Sequence, residues 1–358
     1  MGPGRTVGYP GGMSTLLLAL SLLACTGKHA DDSNVAQADA DTDSDTDSDT
    51  DADVADGHYF PDAAPWYQEV TGTPVDASSA TVIGSLQAAG WGNGRFQIDF
   101  SLDVLQADAS TPKQDFTPTS DFYSPDCDQV PVPLPEGGNV EGETGYACTN
   151  GGDCHLLVED RDDMRLYEMW RANVDDSGTF SGGCLAAWDM SRVYGADGRG
   201  EQCSSADAAG YPIAPLLFSA DEVAAGAIDH AIRFILPNES IRDGQFFAPA
   251  THATNAGGGG TEAVPYGARL RLKADFDTSR ITDPDALVVV RSLQKYGMVL
   301  ADGGNIALTA QADTHTTAKW ADLFDSHALV GIEPQDFDLL QLEGDATPLT
   351  FDCVRTTY

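Results

Sequence analysis

Residues 154–190, CHLLVEDRDDMRLYEMWRANVDDSGTFSGGCLAAWDM, constrain the fold more than any other stretch, because they read as a hairpin with ionisable groups set among core residues. Residues 155–160 alternate weakly, Arg161-Asp162-Asp163 supplies a charged turn, and residues 164–174 make the second strand. With a period of two, Met164, Leu166, Glu168, Trp170, Ala172 and Val174 share one face, while Arg165, Tyr167, Arg171 and Asn173 share the other. A carboxylate in an apolar row is costly unless paired or protonated, so Glu168 needs a structural partner or a chemical task. A third run, 184–190, sets Trp188 beside Asp189.

Other segments repeat the strand pattern. Residues 94–106 place Phe96, Ile98, Phe100, Leu102 and Val104 on one side and Gln97, Asp99, Ser101 and Asp103 on the other, which predicts a half-buried strand. Residues 228–236 align His230 with Ile228, Ile232, Phe234 and Leu236, and residues 246–254 align His252 with Phe246, Ala248 and Ala250. Residues 269–276 separate Leu270, Leu272, Ala274 and Phe276 from Arg271, Lys273 and Asp275. Asp302-Gly303-Gly304 is expected to join 298–301 and 305–310 as a hairpin. Helices are few: a capping box at Ser219 and Glu222 opens a short one ending at Gly226, and Asp283, Pro284 and Gly297 bracket a longer one near 284–296. Residues 111–152 form a connection too long to be idle, carrying Asp126, Asp128, Glu141 and Glu143. Many strands, few helices and long loops predict a mostly β protein, an antiparallel β-sandwich of jelly-roll-like form.

The N-terminal part sets the expected compartment. Residues 16–24 are an apolar run too short to span a bilayer but suited to a signal peptide, placed at 1–24. Leu22-Leu23-Ala24-Cys25 resembles the lipobox of bacterial lipoproteins, which implies a lipidated Cys25, a membrane association by that anchor alone and a place at the cell envelope. Residues 41–53, DTDSDTDSDTDAD, have nothing to bury and read as an extended tether within 25–57, leaving 58–358 as one β-rich domain. The tether lacks the glycine and final glutamate of an EF-hand loop, so a solvated spacer is its reading. A net charge of −37 over 358 residues excludes nucleic acid as a partner chemistry. With Cys25 assigned to lipid, Cys127, Cys148, Cys154, Cys184, Cys203 and Cys353 remain for three disulfides; local spacing favours 148 with 154 and 184 with 203, leaving 127 for 353. No metal and no cofactor is expected, since no CxxC occurs.

The segments PDCDQVPVPLPEGGNVEGETGYAC, GDCHLLVEDRDDMRLYEMWRA, SSADAAGYPIAP, IDHAIRF, RLRLKADFD and LQKYGMVLADGG together resemble an uncharacterised family of exported bacterial and fungal proteins, across residues 126–304. The resemblance implies secretion and one shared β-rich domain, and nothing catalytic.

Glu168, Asp189, His155, His230 and His252 are the candidate catalytic groups, each with a plain alternative: a carboxylate bonded to an arginine, or a core histidine bonded to a carbonyl. Trp170 and Trp188 are candidate sugar platforms or core residues. Two carboxylates suit glycoside hydrolysis; a histidine or tyrosine could instead abstract a proton beside a uronic carboxylate neutralised by Arg271 or Lys273. The absence of GxSxG, HExxH and Walker sequences disfavours serine hydrolase, zincin and NTPase. The leading expectation is a surface-anchored lipoprotein that binds and cleaves a polysaccharide as hydrolase or lyase; the alternative is a non-catalytic glycan-binding or surface-structural lipoprotein.

Overall fold

Residues 57–355 are described by a computed structural model; the expected signal peptide, Cys25 and the tether up to residue 56 lie outside the described residues. Strands β1 (Ile98–Leu102) and β2 (Val104–Ala107) follow one another yet enter different sheets. The corner is Asp103, buried and accepting hydrogen bonds from Asn139 Nδ2 at 2.5 Å and Thr314 Oγ1 at 3.1 Å. The strand expected over 94–106 is therefore two strands, broken where a buried carboxylate finds its donors.

β2 lies parallel to β3 (Leu156–Asp160), which forms the expected hairpin with β4 (Arg165–Trp170); β5 (Cys184–Asp189) completes a four-stranded sheet of order β5-β4-β3-β2. Both faces of this sheet are covered. Leu157, Leu166, Ala186 and Trp188 enter the main core, whereas Val158, Tyr167, Met169, Leu185 and Ala187 pack in a second core with Phe116, Val132, Leu134 and Val140 from the long 111–152 connection. Tyr167, expected on the outer face, is accordingly buried.

The larger sheet contains β1, β6 (Ile232–Leu236), β7 (Arg269–Leu272), β8 (Met298–Gly303), β9 (Leu308–Gln311) and β10 (Phe337–Leu339), in the order β1-β9-β6-β8-β7-β10. β1 with β9 and β6 with β8 are parallel, while β7 is antiparallel to β8 and β10, so the sheets are mixed rather than wholly antiparallel. The expected hairpin across Asp302-Gly303-Gly304 does not form, because β6 inserts between β8 and β9. The strand expected over 246–254 is Ile241–Ala248, in a separate three-stranded sheet; Pro249, which has no N–H for a ladder, follows it and leaves His252 in a loop.

Among the described residues four α-helices pack around the sheets: α1 (Ser79–Ala89), α2 (Ala220–Ala225), α3 (Ala286–Lys295) and the single turn α4 (Trp320–Leu323). At α2 Ser219 Oγ accepts from Glu222 N and Glu222 Oε2 accepts from Ser219 N, and Gly226 closes the helix at φ 89°. Disulfides join Cys127–Cys184, Cys148–Cys154 and Cys203–Cys353. The first and last replace the 184–203 and 127–353 pairs expected from spacing. Asp128 N donates to Leu185 O, which brings Cys127 beside the start of β5, and a bridge between Glu201 and Val354 aligns Cys203 with Cys353. The three disulfides fit an oxidising, extracellular setting. No helix among the described residues is long and apolar enough to cross a membrane.

Candidate functional site

The large sheet has an apolar face in the main core and a polar face that floors a cleft of about 410 Å³. Asp99 on β1 stands in register with Thr309 on β9. Next across is Arg233 on β6, whose Nη1 lies 3.2 Å from Thr309 Oγ1, and then Asp302 on β8, 4.0 Å from Arg233 Nη2. Asp99 and Asp302 thus sit three strand spacings apart, roughly 14 Å between backbones. Ser204 to Ala208 form a wall over this floor, joined by His252 from the loop after Ala248. Gly210 lets the wall approach that loop: its φ is +80°, and a Cβ there would collide with Thr251 Oγ1. Glu141 and His155 close the end near Asp99, and Trp170 stands half-buried at the edge with Nε1 donating to Asp153 Oδ1 at 2.7 Å.

Charge is arranged in two pairs and a surplus. Arg233 donates from Nε and Nη2 to the two oxygens of Asp207 at 2.7 and 2.6 Å, a buried bidentate pair. Glu141 Oε2 accepts from His155 Nδ1 at 2.7 Å and from its backbone N at 3.1 Å. Burial works against a charged imidazole, but Glu141 raises His155 to about 9, so it is an imidazolium at neutral pH and its second nitrogen faces Ala206 O at 3.3 Å. Burial would raise Glu141 too; the bond to His155 holds it below its ordinary value.

Both cations of the cleft are therefore engaged; Asp302 is reached by Arg233 only at 4.0 Å, and Asp99 has no cation within ion-pair distance among the described residues. Burial and the neighbouring Asp207 charge push Asp302 up to about 7, although its side chain is 29% exposed to the cleft. Burial likewise raises Asp99. His252 moves the other way, lowered by burial. Its Nδ1 lies 2.9 Å from Ala208 O, which can only accept, so Nδ1 carries the proton and Nε2 keeps a lone pair with no partner among the described residues. One group able to donate a proton near neutrality and one able to accept it therefore line the same cleft.

Three of the sequence candidates, His155, His252 and Trp170, meet here; the others do not. Glu168 is fully buried, Oε1 accepting from Ile213 N and Ala214 N and Oε2 from Trp188 Nε1, so it is the structural partner of a core tryptophan. Trp188 is fully buried as well and presents no face to a sugar. Asp189 bonds Arg165 and Ser191 outside the cleft. His230 pairs with Glu222 in a separate cavity of about 310 Å³. Arg271 is spent on the carbonyls of Val70, Thr71 and Thr73, and Lys273 on that of Gln335. Among the described residues the one trio of potential metal donors within reach of each other is Glu143, Cys148 and Cys154, whose cysteines are bound in a disulfide.

Sequence reasoning missed Asp302, Asp207, Arg233 and the role of Asp99. Asp302 reads as a turn residue beside two glycines, and Asp99 lies on a face whose alternation is the same whether water or a cleft covers it. No known family, curated protein or solved structure matches this chain.

Proposed function

We propose that this protein is an exported, surface-anchored lipoprotein that binds a polysaccharide in the cleft and hydrolyses it. The observation that carries the reading is the surplus of carboxylates around a cleft holding one carboxyl near neutrality and one neutral imidazole. Glycoside hydrolysis passes through an oxocarbenium-like, positively charged transition state, which an excess of carboxylates stabilises. In this mechanism Asp302 protonates the departing glycosidic oxygen, and His252 Nε2 takes a proton from the water that attacks the anomeric carbon. Asp207 holds Arg233 in place, and the Trp170 indole, which carries the Arg171 guanidinium over its ring, stands at the rim where a sugar ring can stack on its remaining face. A lyase acting on a uronic acid fits less well, because it builds negative charge and Arg271 and Lys273 are committed elsewhere. The jelly-roll-like sandwich belongs to the same proposal, supported by the core that the two larger sheets share.

The test is release of reducing ends from a panel of polysaccharides. Wild type is expected to cleave at least one, and Asp302→Asn and His252→Gln to lose about 10²–10⁴-fold in rate while remaining folded. A glycan bound but never cleaved by wild type would favour the non-catalytic reading. Cys25→Ala is expected to leave the membrane fraction; unchanged membrane association would refute the anchor.

A further inference from the structure

The cleft's charge balance also bears on which glycan it takes. Its two cations are consumed, His155 by Glu141 and Arg233 by Asp207. Asp99 has one oxygen accepting from Ser101 N at 2.9 Å, and among the described residues no cation lies within ion-pair distance of it. His252, 5% exposed, adds an unpartnered nitrogen on the same cleft, so the site is short of donors as well as of positive charge. Carboxyls that outnumber the cations of the cleft suit a ligand that carries positive charge of its own. The chain as a whole carries −37, a field that attracts cationic polymers and repels polyuronates.

Building on the glycan-hydrolase reading, we propose that the cleft selects chains bearing free amino groups, with the ammonium of a hexosamine docking on Asp99. This anchor lies three strands across the floor from Asp302. At roughly 14 Å, a bound chain therefore places its ammonium about two or three sugar residues from the bond that is cleaved. Recognition and proton transfer use different carboxylates, so the anchoring charge does not strip the proton that Asp302 must donate.

The experiment compares wild-type binding, by calorimetry, of β-1,4-linked glucosamine oligomers, their N-acetylated counterparts of equal length, and oligogalacturonates. The amine form is expected to bind roughly tenfold or more tighter than the acetylated form, as a charge-assisted hydrogen bond implies. That ratio falls toward one in Asp99→Asn and shrinks as salt is raised. Equal affinity for amine and acetylated oligomers, or a preference for uronates, overturns the inference while the glycan cleft stands. A preference that survives Asp99→Asn overturns the assignment to Asp99. Absence of binding by every oligomer class overturns the glycan reading and the inference with it. Should Asp99→Asn fail to fold, the wild-type ratio and its salt dependence decide.

Discussion

Replacing Glu168 by glutamine tests whether this carboxyl is held as a buried acid. Three N–H donors converge on it: Ile213 and Ala214 at 2.8 Å on one oxygen and Trp188 Nε1 at 2.9 Å on the other. An amide has one acceptor oxygen, so Glu168→Gln turns an NH₂ toward either the indole or the backbone pair. At pH 5 the stranded donor costs about 1–3 kcal/mol. In a domain this large that is a fall in Tm of roughly 2–6 °C. The pH dependence is more specific. Burial, winning over the backbone bonds of Ala214 and Ile213, pushes Glu168 from its ordinary 4.5 up to about 7. Between those values the folded state holds a proton that the unfolded chain has lost, so wild-type stability falls by about 3 kcal/mol as pH rises through the window. The glutamine variant lacks that fall, and the gap between the two proteins closes by pH 7. Thermal unfolding of both from pH 4.5 to 8 measures it. A gap that widens with pH would mean that the three donors hold the carboxyl below 4.5, which refutes the argument.

His155 gives the opposite kind of profile. Its folded value of about 9 exceeds its ordinary 6.5, so the stability it contributes is complete below 6.5 and is lost as pH rises through 9, by about 3 kcal/mol. His155→Gln is expected to flatten that alkaline decline in an unfolding series, and an unchanged slope would remove His155 as its source. Disulfide removal separates by loop length. Replacing both Cys203 and Cys353, 150 residues apart, costs about 5 kcal/mol on the chain-entropy account, against about 2 for Cys148 and Cys154, six apart. Denaturant midpoints in the reverse order would refute that account for this protein.

How far the sequence could be read depended on the range of the determining contact. The β3–β4 hairpin, the capping box of α2 and the body of α3 all follow from neighbours within a few residues, although β4 ends at Trp170, short of 174, and Asp285 rather than Asp283 stands at the cap of α3. α1 is hidden in the sequence because SATVIGSLQAA carries β-branched residues and a glycine that mask helical periodicity. The hairpin across Asp302 failed because β6, some sixty residues earlier, competes for both strands and wins. The sequence marks Glu168 as a carboxylate that needs a partner, but two of its three donors are backbone groups at 213 and 214 that no period reveals. Two of the three disulfides depend on the same long-range placement. The cleft is the extreme case: its floor uses the polar faces of strands whose alternation only says that one side is apolar, and what covers the other side is decided by the tertiary fold.

The most direct measurement of the central claim is the pH dependence of kcat/KM for hydrolysis of a polysaccharide that wild type cleaves. His252 must be neutral and Asp302 protonated, so the rate is expected to rise through a value below 6.5, peak in a narrow, slightly acidic window, and fall near 7. Any residual rate in Asp302→Asn is expected to lack the fall near 7. Hydrolysis that keeps rising to pH 9, a fall near 7 that persists in Asp302→Asn, or no hydrolysis at any pH would contradict the assignment.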